Sequence, residues 1–243
     1  MTLNKEDFSV LDKFAFEYPP VAVKFSTKPP LKVERLEGKM ALCEMLKTAQ
    51  QGNAFFADAE NHTCEAGLYV LGFADPQEPF VSGEFGAGLR IFEEPRSASR
   101  LYLHIPKLGR GVIHSVSFCP LDKLSFDPDL LILLADASQT EILLRAMSYR
   151  TGEVWESKFT PAIGCAWTYV YPYLSGKLNY SITGLGHGMR RRKLYPEGRQ
   201  LVSIPFDILP SMLKTLREMP WVLPAYEPEG NDFIGKLLSD LGV

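Results

Sequence analysis

Hydrophobic positions along the chain follow two alternating patterns. Short runs rich in β-branched and aromatic residues are typical of strands, and longer stretches with apolar residues three and four positions apart are typical of helices. The strand pattern occurs at Val21–Phe25, Ala54–Ala57, Arg90–Phe92, Leu101–Ile105, Leu130–Ala135, Val154–Lys158, Lys193–Tyr195 and Gln200–Ile204, and Val112–Phe118 fits either pattern. The helix pattern occurs at Phe8–Tyr18, Met40–Gln51, Cys64–Leu71, Gln139–Arg150, Cys165–Tyr173, Phe206–Glu218 and Phe233–Leu241. This alternation predicts an α/β or α+β fold with a mixed sheet.

The order of features in Gly52–Pro106 recurs in Gly152–Pro205. In both segments a glycine precedes a cysteine, a Gly-x-Gly-x-Arg sequence follows, and an apolar run ends at proline. This self-similarity predicts two duplicated β-α-β-α-β-β units, over residues 1–125 and 126–243, that form one compact unit. Because like units usually pack about a two-fold axis, we expect a pseudo-two-fold cleft lined by both halves.

Three cysteines are candidates for metal binding. Cys64 and Cys165 occupy equivalent positions at predicted helix starts, and Cys43 lies near the head of the preceding helix. The partial positive charge of a helix N-terminus lowers a thiol pKa and favours the thiolate, which binds metal or attacks an electrophile. The three could hold zinc or an iron–sulfur cluster. The alternative is that they pack as small apolar groups, which is also the interpretation of Cys119.

Two Gly-x-Gly-x-Arg segments are candidates for a cofactor or anion site. Glycines let the backbone approach a ligand closely, turn amides can bind an anion, and arginine pairs with carboxylate or phosphate. The imidazole of the second segment could act as an acid, a base or a ligand. The alternative is a glycine bulge that leads into a hairpin. The predicted site residues are Gly86, Gly88, Arg90, Gly186, His187, Gly188 and Arg190.

The charge of the chain gives no reason to expect a nucleic-acid partner. The formal net charge is -3, whereas nucleic-acid binders carry a basic patch or stripe. The run Arg190–Lys193 is short and fits either a solvated strand end or an anion contact. The N-terminus lacks the apolar core of a signal peptide, and the longest apolar runs are too short to span a bilayer. We expect a cytoplasmic protein with no membrane partner, and homo-oligomer formation stays open.

Several of these segments together resemble a known family. The segments Pro20–Phe25, Cys43 before a helix, Cys64 before a second helix, Gly164–Cys165 and the glycine–arginine sequence are similar to domain of unknown function 169, over residues 8–220. That family occurs in archaea and anaerobic bacteria and has no established activity. The resemblance implies that its recurring cysteines correspond to Cys43, Cys64 and Cys165. Many relatives carry a further cysteine where this chain has Leu185 or His187, and this departure weakens a four-cysteine cluster. An anaerobic setting would suit an oxygen-sensitive metal centre.

Four functional hypotheses follow from the sequence. The first is a protein that binds a small anionic ligand or an organic cofactor in the cleft, anchored by Arg90 and Arg190. The second is a metalloprotein that uses the three cysteines, with or without His187. The third is an enzyme with Cys64 or Cys165 as nucleophile, which lacks an evident base. The fourth is an assembly protein whose symmetry serves only packing.

Overall fold

A single six-stranded sheet organises the chain. The computed structural model describes residues 5–183, 186–226 and 230–242. The strands are β1 Val21–Ser26, β2 Phe55–Asp58, β3 Ser115–Pro120, β4 Leu130–Ala135, β5 Asn179–Ile182 and β6 Gln200–Pro205. They lie in the order β2-β3-β1-β4-β6-β5, and all neighbours are antiparallel. The predicted mixed sheet is therefore wrong, although the α/β composition is correct.

Helices cover both faces of this sheet. The α-helices are α1 Leu42–Gln50, α2 Glu65–Val70, α3 Glu78–Val81, α4 Glu84–Gly88, α5 Pro95–Tyr102, α6 Ala137–Ser148, α7 Tyr171–Ser175, α8 His187–Arg191, α9 Leu209–Glu218 and α10 Gly230–Asp240. A π-helix spans Ala166–Val170, and 3-10 helices span Lys5–Phe14, Ala59–Asn61, Leu121–Lys123 and Pro224–Tyr226. Within the described residues, no helix is long and apolar enough to cross a membrane.

Alternate residues of the strands divide the core between the two faces. On the face that we call the site face, Val23, Phe118 and Ile132 pack with side chains of α1, α2 and the π-helix. On the opposite face, Leu131 and Val202 pack with α6, α9 and the first 3-10 helix. Successive strand residues point to opposite sides of a sheet, which explains why β4 has six buried residues and no polar one.

Several predicted strands are wrong. Leu101–Ile105 belongs partly to α5, whose first residue is Pro95 and whose Ala98 and Leu101 bury one face at a spacing of three. Proline at the first position starts a helix because its missing N–H has no partner there in any helix. The predicted strands Arg90–Phe92, Val154–Lys158 and Lys193–Tyr195 form turns or irregular chain.

The structure does not show the predicted duplication. A two-fold axis that relates the antiparallel neighbours β1 and β4 would stand perpendicular to the sheet and keep each face on its own side. The helices that follow these two strands would then share a face. Instead α1 packs on the site face and α6 on the opposite face. The equivalent segments near Leu101 and Leu201 are also a helix and a strand.

The C-terminal helix carries an exposed apolar surface. The helix predicted at Phe233–Leu241 is confirmed as α10, and it packs on the turn Pro224–Tyr226. The exposed apolar side chains of α10 are Phe233, Ile234, Leu237 and Leu238.

Candidate functional site

A cavity of about 430 Å³ lies on the site face. Its walls come from α1, α2, α3, α4, α5, α8 and the segment 162–169. Most of the lining is apolar, and aromatic rings are contributed by Phe80, Phe85, Phe92, Tyr102 and Tyr169. A volume of this size is typical of a site for a small organic molecule.

Three thiols line the cavity together. Cys43 lies in the first turn of α1, Cys64 immediately precedes α2, and Cys165 immediately precedes the π-helix. All three are free and partly buried. Burial raises the pKa of the Cys43 thiol to about 11, and the neighbouring Cys64 adds to the rise. Burial, with Cys64 and Cys43 nearby, also raises the pKa of Cys165 well above its usual value.

The pKa values of Cys43 and Cys165 are raised, whereas a helix start was expected to lower them. The partial charge of a helix N-terminus favours thiolate, but loss of hydration at Cys165 outweighs it and keeps the thiol protonated. Among the described residues no group of three His, Cys, Asp or Glu side chains is arranged to hold a metal ion. Cys119, predicted to lie in the core, is fully buried on the opposite face and donates to the Lys123 carbonyl.

We predict slow alkylation of Cys43. At pH 8 its reaction with iodoacetamide should be at least about tenfold slower than that of an ordinary cysteine, because only the thiolate reacts. The rate should keep rising toward a midpoint near the raised pKa of about 11. Mass spectrometry of the Cys43 peptide measures the rate, and the chain unfolded in urea is the control. A midpoint of the alkylation rate near neutral pH would contradict the raised pKa of Cys43 and favour a nucleophilic cysteine.

The two glycine segments form short helices, which corrects the predicted loops. Gly86, Gly186, Gly188 and His187 line the cavity, whereas Gly88 does not. The first segment is part of α4 and the second is part of α8. A Cβ on Gly86 would stand 2.9 Å from the Cβ of Ala98. This glycine therefore allows α4 to pack closely against α5.

The predicted arginine anchors lie outside the cavity. Arg90 is exposed and has a φ of 54°, and Arg190 pairs with Glu197 at 3.0 Å between Nη2 and Oε1. Neither residue lines the cavity, but Arg191 and Arg192 do. The sequence signal for these two residues was the short basic run, for which an anion contact was one interpretation.

The wall next to Cys165 has an unusual backbone. Ile163 lines the cavity with a φ of 55°, a conformation that is a clear outlier for a β-branched residue. Three residues later the chain enters a π-helix whose five residues are all buried. Tyr169 in this helix donates a hydrogen bond to the Leu42 carbonyl at 3.3 Å, which ties it to α1. Backbone strain and π-helical turns concentrate at functional sites.

The fold and the cavity together define the class: a protein with an antiparallel sheet, helices on both faces and a thiol-lined cavity on one of them. The sequence model of the family described as DUF169, Uncharacterised ArCR, matches residues 11–215, and the chain belongs to this family. It is 26% identical over 156 residues to the uncharacterized protein MJ0308 of Methanocaldococcus jannaschii. That match covers 62% of this chain and 66% of the relative, slightly less than two thirds of its length. No solved structure matches.

Proposed function

We propose that this protein binds a small organic anion in the cavity on the site face. The observation that carries the proposal is the cavity itself, whose volume of about 430 Å³ is enclosed by apolar and aromatic side chains with a few polar groups. Binding sites for small molecules have this combination, because apolar walls supply affinity and a few polar groups orient the ligand. Among the described residues, the lining holds two guanidinium groups, Arg191 and Arg192, against one carboxylate, Glu65.

A cavity-filling substitution tests this proposal. We expect wild-type protein to bind the fluorescent probe anilinonaphthalene sulfonate at a saturable site. Ala66→Trp places an indole in the cavity, since Ala66 is partly exposed and lines it. The affinity should fall by at least about fivefold, because overfilling a site costs about 1–3 kcal/mol. Ala54→Trp, at an exposed position outside the cavity, should bind the probe as wild type does.

Two further observations make the test decisive. Ala162→Trp fills the same cavity from another wall, so agreement between the two variants excludes an effect peculiar to one of them. Urea unfolding of each variant establishes that it is folded. Unchanged probe affinity in both folded variants, or no saturable binding by wild type, would overturn the proposal.

A second candidate function is a soft-metal site on the thiols. The observation in its favour is that Cys43, Cys64 and Cys165 share one cavity, where Cys64 helps to raise the pKa of Cys43 and of Cys165. A bound zinc or iron centre would deprotonate them, since thiolates are the metal-binding form. This candidate ranks second because the described side chains have no arrangement ready for a metal. Elemental analysis of protein purified without oxygen separates the two candidates: stoichiometric metal that is lost in Cys64→Ala and Cys165→Ala would favour the metal site.

A further inference from the structure

Three consecutive arginines follow the glycines of α8, and their partners differ. Arg190 pairs with Glu197, and both side chains are mostly exposed. Arg192 lies 3.4 Å from Glu44 between Nε and Oε2, and its Nη1 donates to the Gly188 carbonyl at 3.2 Å. Two of the three guanidinium groups are therefore already engaged by the protein.

Arg191 is the one that remains available. Its side chain lines the cavity and is exposed, so it lies at the cavity mouth. No hydrogen bond or ion pair joins it to any residue in the described part of the chain. Five N–H donors in a fixed plane suit the two oxygens of a carboxylate, sulfonate or phosphate. A cation that has no protein partner at the mouth of an apolar cavity is free to pair with a ligand.

The remaining walls set the character of the rest of the ligand. The helices α3, α4 and α5 pack on one another. Phe80 of α3, Phe85 of α4 and Phe92, in the segment between α4 and α5, line the cavity. Phe80 and Phe85 are stacked, with ring centroids 4.4 Å apart. Because aromatic rings bury large apolar areas and stack on other planar groups, this wall suits a flat or extended apolar body.

We propose that the ligand is an amphipathic organic acid, whose apolar body packs against the aromatic wall of α3, α4 and α5 and whose acidic group pairs with Arg191. This inference rests on the proposed function and adds to it the ligand class and the residue that selects the acid. It also replaces the arginine anchors predicted from the sequence, because Arg90 and Arg190 lie outside the cavity.

A comparison of a charged with a neutral probe tests the inference. Anilinonaphthalene sulfonate carries an acidic group on an aromatic body, whereas Nile red is aromatic and uncharged. In Arg191→Ala the affinity for the sulfonate should fall about three- to tenfold, the range for a partly exposed charge-assisted pair. The affinity for Nile red should stay within about twofold, because area burial does not depend on the guanidinium. Arg190→Ala is the matched control and should change neither affinity.

The outcomes separate the inference from the function on which it rests. Saturable binding of both probes with equal sulfonate affinity in wild type and Arg191→Ala would overturn the role of Arg191 and leave the cavity as a binding site. An equal loss in Arg190→Ala would also overturn it, since a general surface charge would then explain the effect. If wild type binds neither probe at a saturable site, the proposed function is overturned instead.

Discussion

Gly72→Ala is expected to lower the free energy of unfolding by about 2–5 kcal/mol, of which the left-handed backbone contributes about 1–2 and the steric clash the rest. Gly72 ends α2 with a φ of 71°, and it is buried. An alanine Cβ would stand 2.9 Å from the Leu108 carbonyl oxygen and closer still to that of Gly109. Both contacts are with backbone, so no side chain can rotate away. Urea denaturation measures the change.

Gly152→Ala is the matched control for this substitution. Gly152 also has a positive φ, 66°, but an added Cβ would meet nothing within 4 Å. Its substitution should cost only the conformational part, about 1–2 kcal/mol. Equal losses at the two positions would show that the packing of the 108–111 loop on the end of α2 contributes nothing.

His62→Leu is expected to remove a large part of the loss of stability in acid. His62 is buried, neither ring nitrogen has a hydrogen-bond partner, and burial lowers its pKa to about 4. Its unfolded pKa is about 6.5, so the unfolded chain takes up a proton more readily than the folded protein. The stabilising contribution is complete above pH 6.5 and is lost as the pH falls toward 4. The loss amounts to about 3 kcal/mol.

The measurement is the free energy of unfolding at pH 7.5 and pH 4.5. At the higher pH His62→Leu should be at least as stable as wild type, because it removes a buried polar group whose unpartnered state costs about 1–3 kcal/mol. At the lower pH its advantage over wild type should be larger by about a further 2–3 kcal/mol. His104→Gln, at an exposed position, should follow wild type at both values. The same acid sensitivity in wild type and His62→Leu would show that His62 is not the group responsible.

The central strand β4 and the helix α1 were predictable from the sequence, because the hydrophobic pattern of each fits only one kind of secondary structure. Leu130–Ala135 is six apolar residues in a row, and it forms the strand β4 with both faces covered. The helix predicted at Met40–Gln51 is confirmed as α1 for the same kind of reason, since Leu42, Met45, Leu46 and Ala49 form one buried face.

The errors arose where side chains bind the backbone of distant segments. The strand β5 contains Asn179, an unfavourable strand residue, whose amide bonds the carbonyls of Lys158 and Trp167. The Oδ1 of Asn179 also accepts from the Lys158 N–H, so both backbone polar groups of Lys158 bond a side chain and not a neighbouring strand. No periodicity in the sequence records such bonds. The glycine segments were predicted as a ligand site or a bulge, but they form short helices. Glycine permits close packing of helices as well as close approach to a ligand, so its presence does not distinguish the two.

The candidate site was also predictable only in part. The positions of the three cysteines at helix starts predict them as site residues, and the structure places all of them in one cavity. Which arginine faces that cavity could not be predicted, because Arg190, Arg191 and Arg192 are identical in type and differ only in direction. In the folded protein Glu197 pairs with Arg190 and Glu44 pairs with Arg192, which leaves the Arg191 guanidinium available to a ligand.

The two central strands meet along a short junction. Only three residue pairs join β1 to β4, from Val21–Ile132 to Val23–Leu130, whereas β1 and β3 share six. The cavity takes one wall from α1, which packs on β1 and β3, and another from the segment 162–169, whose π-helix packs on β5 and β6. A molecule held between those walls would act as a non-covalent crosslink between the two sides of the sheet. Its binding energy would therefore oppose separation of the sheet at its narrowest ladder, and saturation with ligand would raise the mechanical and thermal resistance of the whole chain.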